Sequence, residues 1–375
     1  MLQENQTQED LILKNPFQTI LGWVENHLKF AGLKVFPNLA LQPVSLIVPP
    51  FYVNADLIRP NIHTLLLAPS GAGKSKVAEL FSRITINPFP FEYITDARFY
   101  SEVKARKDAS FVVSDVTKIF KDRLIVKTLE NAIGDEKMIS KQTMRETTLL
   151  DVNATMLGCG LPQALTKYIT EGLLQRMTPI IMFHTEDEKR EIGEWIISNI
   201  GNKTENGEVE LKIKRYYKFL YDIQKGKIDD HKPITGWLID ELFKHKIGAE
   251  WKLMQDKVVY PPDTYIWRDL HSGFRVLCAS AMLNLFDRKI EENGKERLLV
   301  PNQYDLSLAL NMMDSEMKTR YRILALLQKY SETNDIISLY SHITNSDEYD
   351  SMTKHISRIF LEAKLGNRLP KILPR

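Results

Sequence analysis

Hydrophobic positions recur along this chain with two different periods, and the change from one to the other divides it. Phe17, Ile20, Leu21, Val24 and Leu28 fall at helical spacing over residues 17–30. The proline-rich run that follows reads as extended chain packed around a core. From His63 onward, short apolar runs alternate with helical ones. Residues 64–67 form an unbroken apolar strand, and residues 76–81 open a helix. Residues 91–95, 110–114, 152–160 and 180–183 read as further strands. Helices are expected over 97–107 and 124–133, and from Pro162 to about Lys167. Residues 138–148 look like a polar hairpin or strand pair. Strands and helices alternating at this length predict an α/β domain of three layers around a largely parallel sheet.

Residues 186–199 form a charged helix, and GNKTENG at 201–207 is the clearest loop in the chain. Beyond it the strand signal fades, and 211–224, 237–246, 274–286 and 303–329 read as helical. The tail divides into 321–330, 335–343 and 347–363 before a basic extended end, which suggests a winged helix-turn-helix. The expected division is a lead-in at 1–60, an α/β core at 61–200, a helical lid and insertion at 201–317, and a winged helix at 318–375.

Composition narrows the class. At 375 residues the chain is long enough for two or three domains. Its 43% apolar and 26% charged content is that of an ordinary globular protein. A net charge of +2 argues against an obligate polyanion coat, while leaving local basic patches open. Cys159 and Cys278 lie far apart and no Cys/His set has zinc spacing, so neither a disulfide framework nor a metal cage is expected. The first ten residues are polar and acidic, unlike a signal or transit peptide. The longest charge-free stretch, 35–55, holds Pro37, Pro43, Pro49 and Pro50 and makes a poor membrane helix. The expectation is an intracellular, cytoplasmic protein with no membrane association.

Candidate chemistry concentrates after the strand at 64–67. Residues 68–75 read Ala-Pro-Ser-Gly-Ala-Gly-Lys-Ser between strand and helix, the setting that a phosphate-binding P-loop requires. Gly71 and Gly73 can take backbone angles closed to other residues and have no Cβ to obstruct a phosphate. Amides from Gly71 to Ser75 would then turn toward a β-phosphate at the helix N-terminus. Lys74 would reach the β- and γ-phosphates, and the Ser75 hydroxyl would ligate Mg²⁺. The expected ATP-binding set is Ser70, Gly71, Ala72, Gly73, Lys74, Ser75 and Lys76, with Ala68 where such loops usually have their first glycine. Mg²⁺ also needs a carboxylate at the end of a neighbouring strand. Asp115 fits that role, and it equally fits as the cap of the next helix. Val116, not a glutamate, follows it. The group that positions water is therefore open between Asp115 with Ser114, Glu92 and Glu136.

The order of these features resembles the ATPase core of AAA+ proteins, most closely the minichromosome-maintenance helicases and related mobile-element helicases. The likeness runs through ISKQTMRETT at 139–148, VNATMLGCGLP at 152–162, GLLQRMTPIIMF at 172–183 and HSGFRVLCASAML at 271–283. It covers roughly residues 65–183 plus a lid around Arg275. The resemblance implies an α/β, three-layer P-loop AAA+ core with a helical lid and a C-terminal winged helix. Lys74, Ser75 and Asp115 match the nucleotide and metal motifs, and Lys74, Asp115 and Arg176 would be the catalytic set. Arg176 matches an arginine finger given to the neighbouring subunit. Arg275 matches a lid arginine at the γ-phosphate, with Arg268 as its competitor. Lys141 and Arg145 lie in the match to a hairpin that grips DNA in a central pore. Two positions depart from the pattern: Val116 replaces the catalytic glutamate, and Leu161 stands where a water-positioning asparagine usually precedes Pro162. ATP binding is accordingly better supported than fast turnover.

Three basic stretches keep two readings each. Lys137, Lys141 and Arg145 place cations on one surface of the 138–148 hairpin, for nucleic-acid phosphates or for plain solvation. Residues 211–227 mix six Lys/Arg with three Tyr and one Phe, a composition that can stack bases. Ile213, Tyr217, Leu220 and Ile223 share one helical face, which favours a packed helix with snorkelling lysines. Residues 354–375 carry six Lys/Arg against Glu362 alone, as a recognition helix and wing or as a basic tail. His184 and His271 read as structural. The expected function is an ATP-dependent, ring-forming DNA motor with ATP and Mg²⁺ as ligands. It would be a hexamer serving DNA replication, of a virus or mobile element. The alternatives are an ATP-binding initiator or loader switch, and a DNA-packaging or remodelling ATPase.

Overall fold

Two helices, α1 (Pro16–Glu25) and α2 (Ala31–Ser45), precede the sheet and pack against each other. The computed structural model describes residues 11–53, 56–106, 108–134, 138–142, 147–162, 176–200, 207–257 and 267–365. α1 forms over the expected amphipathic stretch and buries Phe17, Ile20, Trp23 and Val24. α2 corrects the expectation of an extended run, because Pro37 and Pro43 lie inside a helix. An interior proline costs about 3 kcal/mol. Val35, Phe36, Leu39, Leu41 and Val44 are all buried, and burial of such side chains returns roughly 1.5–3 kcal/mol each. Packing outweighs propensity here.

A short ribbon of β1 (Phe51–Val53) and β2 (Asp56–Ile58) leads into β3 (His63–Leu67), α3 (Lys74–Ile84), β4 (Pro88–Phe91), α4 (Asp96–Ala105) and β5 (Asp108–Val113). Then come α5 (Val116–Ile119), α6 (Arg123–Ala132), β6 (Met138–Gln142), β7 (Thr147–Asp151), β8 (Asn153–Gly160) and β9 (Thr178–Ile181). The central sheet has the order β4-β5-β8-β3-β9, and every neighbouring pair is parallel. Parallel strands need crossovers on the sheet faces, and such sheets are buried on both sides. β3 and β5 are buried at every position. Their side chains alternate between two cores. Leu66, Val112, Leu157 and Cys159 join α1, α2 and α3 on one side. Leu65, Leu67, Phe111, Val113 and Met156 join α4, α5 and α6 on the other. β6 and β7 form the expected hairpin as an antiparallel pair, with Lys141 level with Thr148.

The second half contributes α7 (Glu186–Ser198), α8 (Gly207–Gln224), β10 (Gly236–Trp237), α9 (Glu241–Lys257) and α10 (Trp267–Leu283). β11 (Lys289–Asn293), β12 (Glu296–Val300), α11 (Gln303–Glu332), α12 (Ile336–Asn345) and α13 (Ser351–Leu365) complete it. α8 and α10 close the first core, while the end of α11 packs with α12 and α13 into the second. The chain is therefore an α/β protein with helices on both faces of a five-stranded parallel sheet. The boundary expected at 317/318 falls inside α11, one continuous helix of 30 residues. The lead-in shares its core with α8 and α10. Residues 211–227 take the packed reading: Tyr216 and Tyr217 are buried and donate hydrogen bonds to Leu283 O (2.5 Å) and Ala40 O (2.8 Å).

The second half also contains strands where the sequence pattern predicts helix. β10, β12 and β11 form a three-stranded sheet within a region expected to be helical. β11 and β12 join through Gly294–Lys295, with Gly294 at φ 61°. A two-residue hairpin loop with glycine in its first position suits the positive φ that such a turn needs. Among the described residues no helix is long and apolar enough to cross a membrane. Residues 163–167 of the expected helix, the 201–206 loop and the basic end at 366–375 lie outside the described residues.

A buried polar cluster fastens α8 to the amino end of β5. Asp108 accepts from Asn153 Nδ2 (2.6 Å) and Tyr221 OH (2.9 Å), and pairs with Lys225 (2.8 Å). Burial works to raise the Asp108 pKa, but the bonds from Lys225, Asn153 and Tyr221 outweigh it and hold the carboxyl below its usual range. This stabilisation is complete above the unfolded carboxyl's value near 4 and drains away as pH falls through the lower folded value. Asp108→Asn should cost about 1.5–3 kcal/mol at neutral pH. The gap from wild type should narrow as pH drops below about 4. Urea midpoints across pH would measure both, and a gap independent of pH would remove the charge from the explanation.

Candidate functional site

In a parallel sheet every strand delivers its following loop to one edge, and ligands bind outside those carboxyl ends where the strand order reverses. β3 lies between β8 and β9, while its next strand in sequence, β4, sits at the far edge. At this edge the loops after β3, β4, β5 and β8 surround a cavity of about 520 Å³. Ser70, Gly71, Gly73, Lys74, Ser75 and Lys76 line it from the loop after β3. Ser114, Asp115 and Lys118 do so from the β5 side, with Glu92 after β4 and Gly160 and Leu161 from the end of β8.

The loop after β3 takes its shape from its glycines. Gly71 has φ 80° and Gly73 φ 91°, in the left-handed region that L side chains rarely adopt. Gly73 is the N-cap of α3 and supplies no side-chain cap, so the helix N-terminus faces the cavity with its backbone donors. Lys74 is the first residue of α3. Its Nζ donates to Ala68 O (2.6 Å) and Pro69 O (2.7 Å), so the loop's own carbonyls hold the ammonium. Burial lowers its pKa below the ordinary lysine value, and the Asp115 carboxylate works against that lowering. Cys159 is buried, and burial pushes its thiol up to about 12, so it stays protonated near neutrality. Its Sγ lies 3.8 Å from Lys74 O.

Asp115 caps α5: Oδ1 accepts from Thr117 N at 3.0 Å. It also lines the cavity close enough to favour the charge on Lys74. The capping role is thus realised, and the carboxylate still faces the loop. The Ser75 hydroxyl and the Asp115 carboxylate are oxygen ligands of the kind Mg²⁺ takes, few in number and completed by phosphate oxygens and water, while the α3 amides would donate to phosphate oxygens. Glu92 sits at the cavity wall with its Oε2 3.1 Å from Lys118 Nζ. Sequence reasoning left Glu92 among several candidates and gave no sign of Lys118. Glu136 lies outside the described residues.

Val116 and Leu161 each have a definite structural place. Val116 is fully buried and points into the second core. A Cβ added at Gly158 of β8 would lie 2.7 Å from Val116 Cγ1. The residue after Asp115 is thus a packing residue, with no route into the cavity. Leu161 is 38% exposed at the cavity wall and offers hydrocarbon where a polar group would hold water.

Arg176 and Arg275 come together, but at the other end of the sheet. Arg176 stands two residues before Thr178, which pairs with Thr64 near the start of β3. Arg275 Nε donates to Arg59 O at 3.2 Å. Both border a small void with His63, Ser272 and Glu316. Burial pushes the Glu316 carboxyl up, while Ser272 (2.6 Å), Thr178 and Arg275 act the other way. Arg320 pairs with Glu316 and donates to Met177 O (3.2 Å), fixing the segment that carries Arg176. β3 separates this cluster from the cavity by roughly 15 Å, at about 3.3 Å per residue. Lys141 lies on β6; Arg145 and Lys137 lie outside the described residues.

No protein-family model matches the chain, and no curated protein matches its sequence.

Gly158→Ala should lower stability by about 1–3 kcal/mol through overpacking. Val116→Ala should relieve most of that loss in the double variant, because the two side chains would compete for one space. Thermal unfolding of the four proteins gives the coupling, and additive losses would place the strain elsewhere.

Proposed function

We propose that the chain is a P-loop ATPase, and that it works as a ring on DNA. The observation that carries this reading is the loop after β3. Two glycines in the left-handed region, Lys74 and the open end of α3 stand opposite Asp115 across one cavity. The α3 amides and Lys74 would hold the β- and γ-phosphates, with Ser70, Gly71, Ala72, Gly73 and Lys76 shaping and flanking the cradle. Ser75 and Asp115 would hold Mg²⁺, which when bound neutralises phosphate charge and orients the terminal phosphoryl group. Lys74 must leave Ala68 O and Pro69 O to meet a phosphate. The exchange replaces neutral acceptors by charged ones, and it favours binding.

The two arginines support assembly. Arg176 and Arg275 lie a strand length from the cavity of their own chain, so each can reach a nucleotide only across a subunit joint. A guanidinium placed there would offset charge on the transferred phosphoryl. In this reading the β6–β7 hairpin, with Lys141 and Arg145, faces the ring's pore and contacts DNA phosphates. α13, expected as part of a winged helix, would add a second basic surface through Lys354 and Arg358. Replication is the setting that the motif order suggests.

A second reading is a nucleotide switch such as a loader, and one observation favours it: buried Val116 and apolar Leu161 remove the two usual water-handling groups. Measured turnover separates the two. Lys74→Ala should weaken binding of a fluorescent ATP analogue by about tenfold to a hundredfold, the value of one charged hydrogen bond. Size-exclusion chromatography should show an ATP-dependent ring in wild type only, with single-stranded DNA raising its ATPase. Unchanged affinity in Lys74→Ala would sink the nucleotide site, and DNA-insensitive turnover without unwinding would sink the motor.

A further inference from the structure

We propose that Glu92, held by Lys118, is the base that activates water in this cavity; the inference rests on the ATPase reading above. β4 and β5 run parallel with Phe91 level with Val113. Glu92 therefore leaves β4 beside Ser114, about 5 Å away at the spacing of neighbouring strands. It follows its strand as Asp115 follows the next. Among the described residues that line the cavity, these are the two carboxylates.

Their surroundings divide the work between them. Asp115 is tied to the Thr117 amide and faces Lys74. It is placed to sit beside a cation. Glu92 stands across the cavity from the loop, 64% exposed, and its Oε2 meets Lys118 Nζ at 3.1 Å. Lys118 lies on α5, three residues past Asp115, so this pair ties the edge strand to the metal-side carboxylate. An exposed ion pair contributes little to stability. Its effect here is to restrain a carboxylate that would otherwise sample many rotamers. Val116, sealed in the core, and Leu161, at the cavity wall, are hydrocarbon side chains with no proton acceptor.

In the step itself the water oxygen bonds to the terminal phosphorus as the bond from that phosphorus to the bridging oxygen breaks. The diphosphate leaves with the electron pair. The water proton passes to the Glu92 carboxylate and then to solvent, to which this side chain is open. Nothing is oxidised or reduced.

The test uses the full chain. Glu92→Gln and Glu92→Ala should bind a fluorescent ATP analogue within about twofold of wild type, because a base acts in the transition state. Their turnover should fall by about 10²–10⁴-fold. Added formate should restore part of the turnover of Glu92→Ala and none of that of Lys74→Ala, a rescue that a merely structural role would not show. Glu92→Gln turnover within about threefold of wild type, or a loss that formate leaves untouched, overturns the base role. Wild type that binds ATP without hydrolysing it also overturns it and selects the switch. Wild type that binds no ATP removes the ATPase reading itself, a different result from either.

Discussion

Parallel pairing of β3 with β8 and β9 is the constraint on which the rest of the molecule depends. A parallel strand cannot turn back on itself, so each connection crosses a face and covers it. The hydrophobic alternation along β3, β5 and β8 then has to satisfy two cores, and it does so residue by residue. The same geometry sends every following loop to one edge. A loop with two left-handed glycines, an aspartate, a glutamate and a lysine meet there without any sequence motif joining them.

The sheet also separates its charged groups in space. Its carboxyl edge holds Lys74, Asp115, Glu92 and Lys118 around an open cavity. Its amino edge holds Arg176, Arg275, Arg320 and Glu316 in a largely closed network, with the Asp108–Lys225 cluster at the start of β5. Groups at opposite edges of one sheet cannot act on one small ligand together. If the arginines serve the proposed nucleotide site, a second copy has to bring them, and that links the proposed chemistry to the proposed ring.

Much of the α/β half was legible in sequence because its signals are local. Short apolar runs, their alternation with helices, and the glycine-rich loop all act over fewer than ten residues, and the strands fall close to where the pattern puts them. The misreadings have equally definite causes. α2 is helical through two prolines because five buried side chains outweigh their cost. The β11–β12 hairpin is hidden by its charged residues, although Gly294 marks its two-residue turn. The helix expected over 303–329 is present as α11, whose first half packs on one core and whose second half packs on the other.

By itself the sequence determined the loop. Gly71, Gly73, Lys74 and Ser75 specify a backbone conformation and a cation by local chemistry, and no distant residue is needed to read them. Asp115 was legible too, since a strand-ending carboxylate is a local feature, although its capping bond was only one of two options. Tertiary structure alone decided what surrounds that loop. It turned Val116 into the core against Gly158, brought Glu92 and Lys118 to the cavity wall, and carried Arg176 and Arg275 to the far edge. Strand order sets those distances, and strand order follows from how two cores close on one sheet, which no short stretch of sequence contains.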